Sequence, residues 1–203
     1  MKKPLHNMLL SLLLPLSAAS YAADSGTLTF TSTLVSSGTC TISFSPESPL
    51  DLGETNANDL IGQDREVTNV KEMTLTLSNC PKISDGPAPM LTLKGDANKD
   101  NAVPVDRRWL FKSSGTSIGF GIVVSREEFE GTPKFYQDRL YFSDEPTEFK
   151  LGKPGTVIKG LTKVFKFGLT CGSEGGCKRE NVQNGTLKMG TLRADFTFEF
   201  AYK

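Results

Sequence analysis

Apolar and polar residues alternate along most of the chain. Leu28, Phe30, Ser32 and Leu34 are separated by Thr29, Thr31 and Thr33, a period of two rich in β-branched residues that predicts a strand. Thr39 to Phe44 continues the pattern, with Ile42 and Phe44 on one face, and Pro46 and Pro49 then interrupt it. Leu50 and Leu52 predict a short strand ended by Gly53, and the polar residues 54–66 predict a loop. Met73, Leu75 and Leu77 alternate into Cys80, while residues 81–89, with three prolines and a glycine, predict a turn.

The second half repeats this grammar. Leu91 and Leu93 mark a strand, Asp96 to Asp106 a charged loop, and Trp109 and Phe111 a further alternating segment. Ile118, Phe120, Ile122 and Val124 predict a strong strand, Arg126 to Pro133 a charged connection, and Leu140 and Phe142 another short strand. A turn at Lys153-Pro154-Gly155 precedes Phe165, Phe167 and Leu169, which alternate into Cys171. The last run is the cleanest: Leu192, Ala194, Phe196, Phe198, Phe200 and Tyr202, with Arg193, Asp195, Thr197 and Glu199 between them. No helical stripe, internal repeat or low-complexity region interrupts the series. Many short strands joined by turn signals predict an all-β sandwich.

The first residues do not share this pattern. Lys2 and Lys3 precede an apolar stretch from Met8 to Leu16, and Ser20-Tyr21-Ala22 offers small residues where a signal peptidase reads. Residues 1–22 read as a secretory signal peptide cleaved after Ala22, with Ala23 as the neighbouring alternative. The mature chain then has 203 − 22 = 181 residues, the length of one domain. Losing Lys2 and Lys3 leaves 21 Lys and Arg against 23 Asp and Glu, a charge of −2 that gives no reason to expect nucleic acid.

The sole histidine, His6, lies in the signal peptide, so Ser-His-Asp and Cys-His catalysis have no histidine in the mature chain. Paired carboxylates such as Glu127-Glu128 and Asp144-Glu145 read as solvated surface, Lys178-Arg179-Glu180 as a loop face and Ser113-Ser114-Gly115 as a turn. No enzymatic activity, cofactor or small-molecule substrate is expected. Four cysteines, Cys40, Cys80, Cys171 and Cys177, read as disulfides in an exported protein; they allow three connectivities, of which the sequential one is preferred to the others and to a four-cysteine zinc site. The pair Cys40–Cys80 closes a loop of about 41 residues and the pair Cys171–Cys177 a short glycine-rich one, for about 4 and about 2 kcal/mol in the chain-entropy model.

Taken together, these features resemble the chaperone–usher pilins, the type 1 fimbrial subunit family. Gly26-Thr27-Leu28-Thr29-Phe30 is similar to the family's N-terminal donor extension. The first cysteine, Cys40, follows it, and a second, Cys80, closes the strand Leu75-Thr76-Leu77-Ser78-Asn79. Leu50-Asp51-Leu52-Gly53 and Ser117 to Val124 are similar to two family strands. Gly190 is fourteenth from the end and Tyr202 penultimate, as in pilins.

The resemblance covers residues 24–203 and implies a signal peptide (1–22), a donor extension (23–35) and a pilin domain (36–203). It implies an incomplete immunoglobulin-like β-sandwich lacking its final strand. A periplasmic chaperone fills the resulting groove first and a neighbouring pilin subunit's donor strand replaces it at the outer-membrane usher. Gly26, Leu28, Phe30 and Ser32 would then face a neighbour's groove. Leu192, Ala194, Phe196, Phe198, Phe200 and Tyr202 would line this chain's own, with the small Gly190 leaving space at one end. A subunit with that groove unfilled would aggregate. The implied role is structural, in a surface fimbrium supporting cell adhesion; a tip adhesin or adaptor that binds carbohydrate or a receptor directly is the alternative, although Trp109, which could stack on a sugar, reads as core. Two departures stand out. Only Ala23, Asp24 and Ser25 precede Gly26, which suits a minor, adaptor or terminating subunit, and Cys171 and Cys177 are additional to the common pattern.

Overall fold

The computed structural model describes residues 24–34, of which the backbone path is considered, and residues 40–80, 87–126, 134–135 and 139–203. The signal peptide reading and most of the Arg126–Pro133 connection fall outside the described residues.

Two β-sheets face each other. The first has the order β3-β1-β9-β5-β7, built from Leu50–Thr55 (β3), Asp24–Leu34 (β1), Thr191–Tyr202 (β9), Pro89–Gly95 (β5) and Thr147–Lys150 (β7). The second has the order β2-β4-β8-β6, from Thr41–Ser45 (β2), Thr68–Ser78 (β4), Leu161–Thr170 (β8) and Gly121–Ser125 (β6). The fold is all-β, as the alternation predicts; among the described residues helix is limited to short pieces, among them 3-10 turns at Ala57–Asp59 and Asp106–Arg108 and the five-residue α1, Arg179–Gln183.

The core lies between the sheets. The inward positions of β9 (Leu192, Ala194, Phe196, Phe198 and Phe200) are all buried, as are Met73, Leu75 and Leu77 of β4. Aromatic rings stitch the layers together: Phe198 of β9 lies 5.0 Å from Phe165 of β8 and 5.5 Å from Phe44 of β2, and Phe196 lies 5.3 Å from Phe167 of β8. These centroid distances and tilted planes suit the ring quadrupoles. A one-residue slip of β9 would turn Arg193, Asp195 and Glu199 into this core, so its register is firmly set.

Where the simple alternation misleads, a second core explains it. Val67, Trp109, Leu110, Val123, Phe135 and Leu140 form a separate buried cluster. Val123 joins that cluster while Ile122 and Val124 join the main one, so β6 is buried on both faces. Trp109 and Phe111 likewise do not form the predicted strand. A 3-10 turn at Asp106–Arg108 leads Trp109 and Leu110 into the second cluster, and Phe111 makes isolated bridges to Ala97 and Ile122. Leu140 forms one bridge to Ser125 rather than a strand with Phe142, and Ile118 pairs with Lys188 before β6 begins. The polar stretch 54–66 carries Leu60 and Ile61 into the core, and Lys178-Arg179-Glu180 opens α1 rather than a loop.

Candidate functional site

Among the described strand pairings, one ladder is parallel. β1 runs alongside β9 from Ser25 opposite Thr191 to Leu34 opposite Phe200, ten consecutive pairs without interruption. Gly26, Leu28, Phe30 and Ser32 are the register partners of Leu192, Ala194, Phe196 and Phe198, so the predicted donor positions meet the predicted groove positions within one chain. On its other edge β1 pairs antiparallel with β3, from Asp24 opposite Thr55 to Leu28 opposite Leu50. The strand expected to serve a neighbour thus lies between β3 and β9 of its own chain.

Both walls of this slot are held from outside it. β9 is paired along its far edge throughout. Phe196 to Tyr202 pair with β5, and the segment 113–118 covers the start of the strand: Arg193 accepts from Ser113 and Ser114 through its carbonyl, at 2.8 and 3.1 Å, and donates to the Ser114 carbonyl at 3.0 Å. The other wall, β3, is tied to the opposite sheet. Thr55 and Thr68 share a hydroxyl hydrogen bond of 3.0 Å, and the Asn69 amide donates to the Glu54 carbonyl at 2.9 Å. Asn69 sits at a register shift between Thr68 and Lys71 in β4 with a φ of 52°, a left-handed conformation that asparagine tolerates better than most residues.

A second irregularity shapes β3 itself. Gly26 pairs with Gly53 but Thr27 pairs with Asp51, so β3 holds one extra residue there. Gly53 takes up the bulge with a φ of 81°, open to glycine at no steric cost. The bulge switches the inward side from even to odd positions: Leu50 and Leu52 are buried before it, and Thr55 after it. A short apolar-x-Leu-Gly segment therefore ends one inward run and starts another, and the strand continues to Thr55 beyond the glycine expected to end it.

The two outlying positions of the C-terminal pattern have separate roles. Gly190 stands one residue before β9 and outside the ladder with β1. A Cβ there would lie 2.4 Å from the Thr116 hydroxyl and 2.8 Å from the Ser117 nitrogen, so its smallness admits the 113–118 segment against β9. Tyr202 is half-buried, 5.1 Å from Phe200, and burial pushes its phenol up from the usual value. Beyond it Ala88 and Lys203 exchange two backbone hydrogen bonds of 2.7 and 2.9 Å, closing the sheet around Pro89, which has no N–H to give.

The cysteines pair sequentially, Cys40 with Cys80 and Cys171 with Cys177. The short disulfide loop is woven into its surroundings: Gly62 donates to the Cys177 carbonyl at 2.7 Å and Arg65 to the Gly172 carbonyl at 3.1 Å. Asp106 accepts from both the backbone and the hydroxyl of Ser173 at 2.8 Å through one oxygen, while its other oxygen is buried without a partner among the described residues. Burial pushes the Asp106 carboxyl up, against the lowering influence of those hydrogen bonds.

The charged stretch from Asp96 is a loop, as expected, but part of it is buried. Asn98, Asn101 and Asp106 within it are fully buried, and Asn101 donates to the carbonyls of Gly119 at 2.7 Å and Cys171 at 2.9 Å. Composition alone could not separate these amides from surface ones. The role of Asn69, and of the 113–118 segment as a clamp on β9, was equally unmarked.

Other candidates come together less well. Trp109 is buried against Phe135, with ring centroids 4.6 Å apart, and is part of the core. An open depression of about 500 Å³ is lined by Asp96, Lys99, Asp100, Lys112, Ser113 and Ser114 with two small residues, and no aromatic ring faces it. Asp144 is bridged to Arg108 at 3.0 Å on the surface. Among the described residues no group of three or more histidine, cysteine or acidic side chains is placed to hold a metal.

In comparisons with known proteins, the chain matches no protein-family model and no curated sequence.

Proposed function

We propose that the protein is a structural subunit of an adhesive surface fimbrium, with an immunoglobulin-like sandwich that receives a strand from a periplasmic chaperone and then from a neighbouring subunit. One observation carries this reading. The strand between β3 and β9 is the first of the described strands, and the walls on either side of it have anchors of their own. A terminal strand in such a slot can leave, and another can enter, without any other segment being unthreaded. Backbone ladders on both edges provide generic affinity, and the alternating Leu192, Ala194, Phe196, Phe198 and Phe200 provide a register for the incoming strand. In this reading Gly26, Leu28, Phe30 and Ser32 form the segment offered to the next subunit.

The test is co-expression of the mature chain with its cognate pilus chaperone and usher. The reading expects a soluble one-to-one chaperone complex and incorporation into fibres. Removal of residues 24–34 should spare chaperone binding and stop donation to the next subunit. A mature chain that never associates with the chaperone, and is secreted as a stable monomer, would overturn it.

A further inference from the structure

We infer that the seam between β7 and β6 is a docking site for an acidic side chain of another polypeptide, whose carboxylate is held by Arg126 and Lys163. The inference lies away from the β3–β9 slot and does not rest on the fimbrial reading.

Three rings and two cations build the seam. Tyr141 is tied to β6 by its amide, which donates to the Val124 carbonyl at 2.9 Å, and its ring packs 5.2 Å from Phe149 of β7 and 5.9 Å from Phe165 of β8. The Arg126 guanidinium stands 5.1 Å over the Tyr141 ring, and the Lys163 ammonium 4.4 Å over Phe149 and 5.9 Å over Phe165. The ring quadrupoles hold both cations in place before any ligand arrives, which reduces the ordering cost of binding. Among the described residues neither cation has an ion-pair partner. Nearby acids are engaged elsewhere: Glu72 of β4 with Lys166 at 2.8 Å, Glu148 of β7 with Lys203 at 2.5 Å, and Asp144 with Arg108 at 3.0 Å. Burial pushes the Lys163 amine below the usual lysine value, and the Arg126 charge pushes it further. Two like charges held together repel, and an oxyanion between them relieves that repulsion.

The shape of the site favours a peptide carboxylate. Arg126 offers a forked donor and Lys163 a point charge, a combination that suits a planar carboxylate. Tyr141 and Phe165 are buried and the cations cover the rings, so a sugar has no open ring face to stack on. The half-buried Phe149 beside Lys163 suits the aliphatic stem of a glutamate.

The probe is a hexaglutamate peptide with blocked termini, titrated into the mature chain at low salt and followed by NMR of the Arg126 and Lys163 side chains. Saturable binding centred on those two resonances is expected, weakening as salt is raised. Arg126→Gln and Lys163→Met should each weaken it at least about tenfold; methionine keeps an aliphatic stem over the rings. Lys159→Gln, at an exposed lysine on the loop before β8, should leave it unchanged. Should a variant fail to fold, the shifts of the native chain carry the test: unsaturable changes spread over the surface would overturn the site. An equal loss in Lys159→Gln would do the same, by showing attraction to charge in general. A uronic acid oligosaccharide that binds this seam more tightly than the peptide would overturn the assignment to a polypeptide. None of these outcomes touches chaperone binding, so the fimbrial reading stands or falls by its own test.

Discussion

Asn69 and Glu54 lie in different sheets, and the 2.9 Å bond from the Asn69 amide to the Glu54 carbonyl fixes one wall of the slot to a bulge in the opposite layer. The bond exists because Asn69 holds a φ of 52°, which breaks the β4 ladder at that point. Asn69→Ala loses the hydrogen bond, worth about 1 kcal/mol, and replaces a residue that tolerates left-handed backbone with one that does not, at a further cost of about 1 kcal/mol. Asn69→Gly loses the bond without that strain. Urea unfolding should rank the stabilities native, then glycine, then alanine. Equal losses in the two variants would show that the backbone conformation contributes nothing.

Phe198 and its neighbour Glu199 offer the sharpest contrast along β9. Phe198 is fully buried between Phe44 and Phe165, whereas Glu199 is half-exposed and bridged to Lys94 at 2.6 Å. Phe198→Ala should cost about 3–5 kcal/mol, and Phe198→Glu should abolish folding. Glu199→Ala should cost less than about 1 kcal/mol, since exposed ion pairs contribute little. Chemical denaturation of the three variants checks the inward parity of the strand. A tolerant Phe198 would mean that β9 is not the centre of the core.

Much of this architecture was legible in the chain, and the reason differs from one element to the next. β9 is legible because one face of it is apolar and the other polar for its whole length, so the period of two is unmixed. The strand at β6 is legible in Ile122 and Val124, but the burial of its other face through Val123 is not, and the segment around Trp109 follows that second cluster instead of forming a strand. The disulfide pairing follows the sequential preference, and the alternating segments 26–32 and 192–202 pair with each other as strands. Their meeting in one chain was not expected: the same alternation in Leu28, Phe30 and Ser32 suits a groove in this chain or in a neighbour, and periodicity carries no information about which. Nor does it carry strand sense, since a period of two reads alike in either direction.

The two disulfides should differ in what they contribute. Replacing Cys40 and Cys80 together releases a loop of about 41 residues and should cost about 4 kcal/mol, whereas replacing Cys171 and Cys177 should cost about 2 kcal/mol. The shorter loop is also held by the Gly62, Arg65 and Ser173 hydrogen bonds, which survive loss of the sulfur bridge. Double cysteine-to-serine variants compared by thermal or urea unfolding test the ranking. A larger loss at the short pair would show that the bridge is needed to hold those hydrogen bonds in place.

Asp106 should give the protein a stability that depends on pH in an unusual direction. Most carboxylates are more acidic when folded, but burial raises this one above its ordinary value of 3.8, and hydrogen bonds from Ser173 together with the nearby Arg65 only partly offset that; Asp64 adds to the rise. The folded chain therefore holds this proton more tightly than the unfolded chain. The favourable contribution is complete below the unfolded value and is lost as pH climbs through the raised one, so at neutral pH the ionised Asp106 opposes folding. Asp106→Asn keeps an oxygen for Ser173 and removes the charge. The stability of this variant relative to the native chain should rise as pH climbs from the ordinary carboxylate value through the raised one, then level off above it. Urea unfolding of both chains across that range measures the difference, in which the other titrating groups largely cancel. Parallel curves would mean that the buried carboxylate keeps an ordinary affinity for its proton, with the partnerless oxygen solvated.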